Sequence, residues 1–278
     1  MKLPRLRTFF LIPVVLFAAL YFAALIINII KNDAVPTLES AAHGHETVAI
    51  FGASGTAGDG ILKAALADPE IDQIFVITRR TTPRIEEGVA AGRLQVILHM
   101  DYLDYAAIRD KLTPLDSVYW AIGTSSFGVD EKTYGMIHVD FPVRFVSQWL
   151  SAGNKPGGSF HYISSSDISE DSSMMWAREK VRAEKSLFEL TEGTSLRVIA
   201  YRPDYIGPTE EEANLGQTLL YWFFKPVNAA VRATQIGQAM MEVTARGSEF
   251  SSGDTLSTGK IVQYSNAYEK RLAVGSDR

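Results

Sequence analysis

Three glycines at a spacing of three, Gly52, Gly55 and Gly58, follow directly on the apolar, β-branched run Thr47–Phe51. A short buried strand, a glycine turn and then a helical pattern through Ile61, Leu62, Ala64 and Ala65 make a cradle suited to pyrophosphate. The missing Cβ atoms let backbone approach an anion, and the free N–H groups and dipole of the helix start favour its charge. Gly52, Ser54, Gly55, Thr56, Ala57 and Gly58 are therefore the expected phosphate-binding residues. About 20 residues past such a turn, an NAD site places a carboxylate on the ribose 2′-hydroxyl. This chain places Arg79 and Arg80 there, after the apolar run Gln73–Thr78. Two guanidiniums bind a 2′-phosphate that a carboxylate would repel, so the pattern reads as NADP(H).

Polar groups recur at the ends of the other apolar runs. Leu94–His99 reads as a third strand and precedes Asp101, which either accepts from an adenine amino group or caps a helix over 105–112. Asp116–Ile122 reads as a fourth strand and leads into Gly123, Thr124 and Ser125, small residues that let backbone pass close to the cofactor's inner ribose. A helical pattern covers 132–152. Phe160–Ser164 reads as a fifth strand, ending in Ser165, Ser166 and Asp167, and the helix Met174–Leu190 carries Trp176 and Lys180 one turn apart on one face. Leu196–Tyr201 is the sixth strand. Strands alternating with helices predict an α/β, doubly wound parallel sheet with right-handed crossovers. Ligands of such sheets bind beyond the carboxyl ends of the strands, where all these clusters fall.

Past the sixth strand, Leu215–Val231 is apolar and aromatic-rich but too short to span a bilayer. It is a pocket wall, a membrane-lying segment or core. Gln235–Met241 reads as a helix, and Lys260–Leu272 as a short strand with a charged tail. The 278-residue chain is 46% hydrophobic and 21% charged, with a net charge of −5 and no basic stripe, which argues against nucleic acid as a partner. It contains no cysteine, which excludes disulfides, thiolate nucleophiles and Cys-ligated zinc.

Phe9–Ile30 is a run of 22 residues without a charge, interrupted only by Pro13 and Asn28. As a helix it is about 33 Å long, against a bilayer core of about 30 Å. It is longer than a signal-peptide core and is followed by Lys31, so it predicts one uncleaved transmembrane anchor. The expected organisation is an anchor over 1–31, a linker over 32–45 and a dinucleotide-binding domain over 46–278, with a substrate-covering segment at about 205–260. His43 and His45 read as solvated linker side chains, and no metal site is expected. Lys2, Arg5 and Arg7 precede the span and Lys31 follows it, which places the N-terminus in the cytoplasm. The domain then lies on the far side, in conflict with the mainly cytoplasmic supply of NADP(H).

With the glycine turn, the arginine pair, Gly123-Thr124-Ser125, Phe160–Ser166 and Tyr201–Asp204 in view, residues 46–250 resemble the short-chain dehydrogenase/reductase superfamily. The chain looks most like its atypical branch of Tat-interactive-oxidoreductase-like and NmrA-like proteins. The resemblance implies a Rossmann fold, NADP(H) and a small-molecule substrate. It also implies a catalytic Ser, Tyr and Lys, the Lys four residues after the Tyr. Ser165 or Ser166 and Lys180 match two of these; the third position is Trp176, whose indole N–H donates a hydrogen bond but exchanges no proton in this role. The remaining Tyr-x-x-x-Lys, Tyr221 to Lys225, falls in the covering segment and reads as coincidence. The resulting expectation is a membrane-anchored NADP(H)-dependent oxidoreductase acting on an apolar substrate. The alternative is a non-catalytic NADP(H)-binding scaffold, redox sensor or assembly factor.

Overall fold

The computed structural model describes residues 6–30, 35–36 and 46–276. His43, His45 and nearly all of the expected linker lie outside the described residues. Seven parallel strands form one sheet in the order β3-β2-β1-β4-β5-β6-β9. They are β1 Thr47–Phe51, β2 Gln73–Thr78, β3 Leu94–Leu98, β4 Ser117–Trp120, β5 Ser159–Ile163, β6 Arg197–Arg202 and β9 Thr255–Ser257. β7 Tyr205–Gly207 and β8 Ala230–Arg232 make a separate parallel pair. The order reverses between β1 and β4, the crevice where doubly wound sheets take ligands.

An N-terminal helix, α1 (Leu6–Ile30), precedes the sheet. The crossovers that join the strands are α2 Thr56–Ala67, α3 Pro83–Ala90, α4 Arg109–Leu112, α5 Glu131–Gly135, α6 Phe141–Ala152 and α7 Met175–Thr191. After β6 come α8 Leu215–Phe224, α9 Ala233–Ala245 and α10 Thr258–Ser276. Because β1, β2 and β4 are covered on both faces, their side chains are buried almost without alternation. One core lies under α2, α9 and α10 and holds Ile50, Val76, Tyr119 and Met240. The other lies under α6 and α7, where Phe51, Trp120, Phe145, Trp149 and Phe160 pack ring on ring.

Two expectations need correction. Lys260–Leu272 is not a strand and tail but part of the helix α10. Its Ile261-Val262 start suggests a strand, yet the buried residues Ile261, Ser265, Tyr268 and Arg271 recur at helical spacing. The expected helix over 105–112 is a 3-10 turn, Ala106–Ile108, followed by α4. Helix 132–152 does form, but it passes through a π-helical turn at Met136–Asp140 between α5 and α6.

Among the described residues no helix is long and apolar enough to cross a membrane. α1 packs against the stretch that closes α8. Phe17 and Tyr21 stack on Phe223 at centroid distances of 6.2 and 5.3 Å.

Candidate functional site

The glycine turn adopts the cradle geometry. Gly52 has φ +76°, and a Cβ there would come within 2.6 Å of the Ala121 backbone at the end of β4. A Cβ on Gly58 would overlap the Gly52 carbonyl, so only glycine lets α2 start this close to β1. The Gly55 N–H closes the turn on the Gly52 carbonyl at 2.9 Å. Gly55 is the N-cap of α2 and supplies no side-chain bond to its first turn. The N–H groups there point out of the helix with no side chain spent on them. They face a cavity of about 520 Å³ lined by Ser54, Gly55, Thr56, Thr82, Arg84 and the 208–212 segment, among others. Ala57 is half-buried in the same turn.

The cavity contains a cation that sequence reasoning missed. Arg84, in the first turn of α3, donates to Asp59 at 2.7 Å and reaches Glu211 at 3.8 Å. Its pKa is raised, chiefly by the hydrogen bond to Asp59. Glu211 also pairs with Lys63, a hydrogen bond that lowers the Glu211 pKa. Asp59 and Glu211 are thus paired with Arg84 and Lys63, while Glu87 and Glu212 also line the cavity, so four carboxylates and one guanidinium face it. Arg84 could have been suspected as a base just past the second strand, but residues 208–212 arrive only through the tertiary fold. Arg79 and Arg80 sit at the carboxyl end of β2 and are exposed, outside this cavity's lining. The Arg79 guanidinium lies 5.8 Å from the Tyr102 ring centroid, and the Arg80 backbone is held by the Thr78 hydroxyl. Neither has an ion pair among the described residues. Asp101 is exposed and accepts from the Leu103 N–H at 2.9 Å, an Asx turn rather than a cap on the helix over 105–112. Asp104 accepts from Ala106 instead.

Gly123 and Thr124 follow β4 and pack on His138. A Cβ on Gly123 would lie 2.9 Å from the His138 ring, and Nε2 of that ring is 3.1 Å from both the N–H and the carbonyl oxygen of Thr124. His138 belongs to the π turn and stacks on Tyr134 at 4.0 Å. Burial, reinforced by the charge of Lys180, depresses its pKa to about 3, so it is neutral at physiological pH.

A second cavity of about 520 Å³ opens at the carboxyl ends of β5 and β6. Ser165, Ser166, Asp167, Trp176, Asp204, Tyr205, Phe224 and Ala229 line it. Asp167 holds φ +52°, a strained conformation for a residue with a Cβ. Lys180 is not among the lining residues. Its Nζ is buried and donates to the Tyr162 hydroxyl at 3.2 Å and the Ile163 carbonyl at 2.7 Å. Burial lowers its pKa to about 7, against a smaller opposing effect of Glu184. The Tyr162 hydroxyl in turn donates to the His138 carbonyl at 2.9 Å. Of the expected catalytic groups, the structure brings Ser165 and Ser166 into one cavity with Trp176 and turns Lys180 inward beneath it. Asp171 is exposed and outside the cavity, whereas Asp167 lines it.

The sheet order, the glycine turn and a cavity at each of two strand ends define a doubly wound α/β architecture. Solved structures place it among folds of the short-chain dehydrogenase type. One is a short-chain dehydrogenase family protein from Francisella tularensis, with TM-score 0.57 and 16% identity, covering 76% of this chain and 96% of that one. Another is BdcA in complex with NADPH, with TM-score 0.57 and 14% identity, covering 77% and 93%. No family model matches the chain. Among curated proteins it is 27% identical over 173 residues to leucinostatins biosynthesis cluster protein T of Purpureocillium lilacinum, covering 62% of this chain and 61% of that protein. It is 24% identical over 239 residues to the mitochondrial protein fmp52-1 of Aspergillus terreus, covering 84% and 93%.

Proposed function

We propose that the chain binds NADP(H) at the β1–α2 turn and is a membrane-anchored oxidoreductase acting on an apolar substrate in the β5–β6 cavity. The observation that carries this reading is the uncapped start of α2 beneath Gly52, facing a cavity large enough for a phosphate pair. Backbone amides there suit an anion whatever its sugar, and Arg79 and Arg80, free of ion pairs among the described residues, suit a 2′-phosphate. The NADPH held by a solved neighbour of this fold supports the same cofactor class.

The bound nicotinamide would supply or accept a hydride. Ser165 and Ser166 would hold the substrate oxygen by hydrogen bonds, and Trp176, Phe224 and Ala229 would exclude water around its apolar part. The proton needs another source, because indole has none to exchange in this role. Asp204 accepts from the Thr258 hydroxyl at 2.5 Å and is already engaged, which leaves Tyr205 and Asp167 facing the cavity. Tyr205 is the phenol among the lining residues, and we assign it the role of acid. Calorimetry of the full chain in detergent with NADPH and NADH tests the cofactor. Tyr205→Phe tests the chemistry; an expected fall in turnover of about 100-fold at unchanged NADPH affinity marks an acid-base group.

A second reading, a holder of NADP(H) without turnover, is favoured by the inward bonds of Lys180 together with Trp176. NADPH binding with no substrate-dependent oxidation across aldehydes, ketones and quinones would decide for it.

The anchor reading rests on Phe9–Ile30, uncharged and 22 residues long, in the helix α1. Ile12, Leu16, Leu20 and Ile26 expose more than half their surface, as side chains facing lipid would. The relatives' mitochondrial names fit a membrane-bounded compartment but do not choose a side.

A further inference from the structure

The helix α8 presents two unlike faces. Gln217, Tyr221 and Phe224 point inward, Tyr221 buried and bonded to Gln235 at 3.3 Å. Leu215, Leu219, Leu220, Trp222 and Phe223 point outward; Leu215 is 77% and Trp222 59% exposed. A stripe of five large apolar side chains on a ten-residue helix is not the surface of a helix facing water. It adjoins α1, whose own apolar side chains are exposed around it.

The polar contacts between the two elements point to one occupant. Backbone leaving a helix inside hydrocarbon must find partners for its last carbonyls. Here the Tyr221 and Phe224 carbonyls take the N–H groups of Lys225 and Ala229, and α1 serves Phe223 and, in the turn that follows, Pro226. The Tyr21 hydroxyl donates to the Phe223 carbonyl at 2.9 Å, and the Asn28 side-chain amide donates to the Pro226 carbonyl at 3.0 Å while accepting from the Asn228 amide. Asn28 and Tyr21 are thus polar residues in an apolar stretch, spent on the exit of α8. The other end of α8 is closed by a capping box between Asn214 and Gln217.

The same contacts set a depth. Asn28 lies near the end of the uncharged run, and Tyr21 and Phe17 are about 10 and 16 Å further along α1. Phe223, which touches both, then sits within one leaflet of a core about 30 Å thick. Lys225 lies at the shallow end, its ammonium over the Trp222 ring at 5.2 Å, where a long cationic side chain can reach the headgroups.

We propose that the outer face of α8 is a lipid-contacting surface, seated beside α1 about one leaflet deep in the bilayer. The proposal rests on the anchor reading above. It also deepens the substrate reading, since Phe224, the next residue after Phe223, lines the cavity of Ser165 and Ser166. The helix that would meet lipid on its outer face thus walls that cavity with its inner one.

The experiment uses the full chain reconstituted in phosphatidylcholine nanodiscs with and without brominated acyl chains. Of the four tryptophans, Trp120 and Trp149 are fully buried, and α1 carries none. The expected result is quenching by brominated lipid that drops by at least half in Trp222→Phe. Because the chain has no cysteine, a spin label on Leu219→Cys gives an independent reading, expected to be accessible to oxygen and shielded from a water-soluble nickel complex. Unchanged quenching in Trp222→Phe together with a label open to nickel would overturn the proposal, as would a dimer that shields both sites. If the chain is washed from vesicles by alkaline carbonate, the anchor reading itself fails. If it stays in the membrane while position 222 is unquenched, only the placement of α8 falls.

Discussion

At the turn after β1 the backbone supplies nearly everything a phosphate needs. At the turn after β5 the proposed chemistry would depend on side chains, and there Trp176 stands where the resemblance implies a Tyr and Lys180 is drawn inward. Gly52, Gly55 and Gly58 act by what they lack, so almost any neighbours leave the cradle intact as long as no Cβ intrudes. Trp176 and Lys180 act by what they carry, and a single change of side chain or rotamer removes that. Binding held by main chain therefore outlasts chemistry held by side chains, and one fold can serve either as reductase or as holder.

The contrast can be tested from both ends. The largest effect is expected for Gly58→Val, whose side chain would be driven into the Gly52 carbonyl. NADPH affinity should fall at least about 100-fold, roughly 2.8 kcal/mol, by calorimetry, with the far-ultraviolet dichroism unchanged. Retained affinity would move the dinucleotide elsewhere. Next, Arg79→Asp with Arg80→Ala should weaken NADPH by about 10- to 100-fold and leave NADH nearly untouched, since charge-assisted bonds to phosphate are lost. Equal losses for both would show that the arginines serve the fold rather than the 2′-phosphate.

Trp176→Tyr sharpens the other side. With Lys180 held by Tyr162 and Ile163, a new phenol has no cation beside it, and turnover should change by less than about tenfold. A gain of about 100-fold or more would mean that Lys180 swings out and that the edge is a reductase one residue from repair. The smallest effect concerns His138. Its folded pKa of about 3 lies below the ordinary 6.5, so from pH 6.5 down to about 3 the unfolded chain binds a proton that the folded chain refuses. Stability drains across that window, and His138→Gln should flatten this part of the plot of Tm against pH. An unchanged slope would assign the acid sensitivity to carboxylates.

Much of the sheet was legible because β1, β2 and β5 are continuous apolar runs bounded by small or polar residues, each placing its cluster at the same edge. β9 was not, since three residues, Thr255–Ser257, carry no period and pair only because β6 is already in place. In the site, the glycines and Ser165 were readable from local spacing. The engagement of Arg84 with Asp59 and Glu211, and the inward turn of Lys180, were not, because they depend on partners 17 to 127 residues away. The role of Asn28 was equally hidden; in the sequence it is an interruption, and its partners lie about 200 residues on.

The π turn at Met136–Asp140 has a consequence for the architecture on its C-terminal side. A wide turn amounts to one surplus residue in an otherwise regular helix. The wide turn absorbs that residue, so excising one residue between 136 and 140 would restore even winding and leave the helix after it in phase, whereas excising one from a regular turn would re-phase it by about 100°. Phe145 would keep its ring contacts with Phe51, Phe160 and Trp149, and the change would fall on His138 inside the wide turn. The surplus residue thus acts locally, letting the wide turn show His138 to the Thr124 backbone while the aromatic residues after it keep to the core.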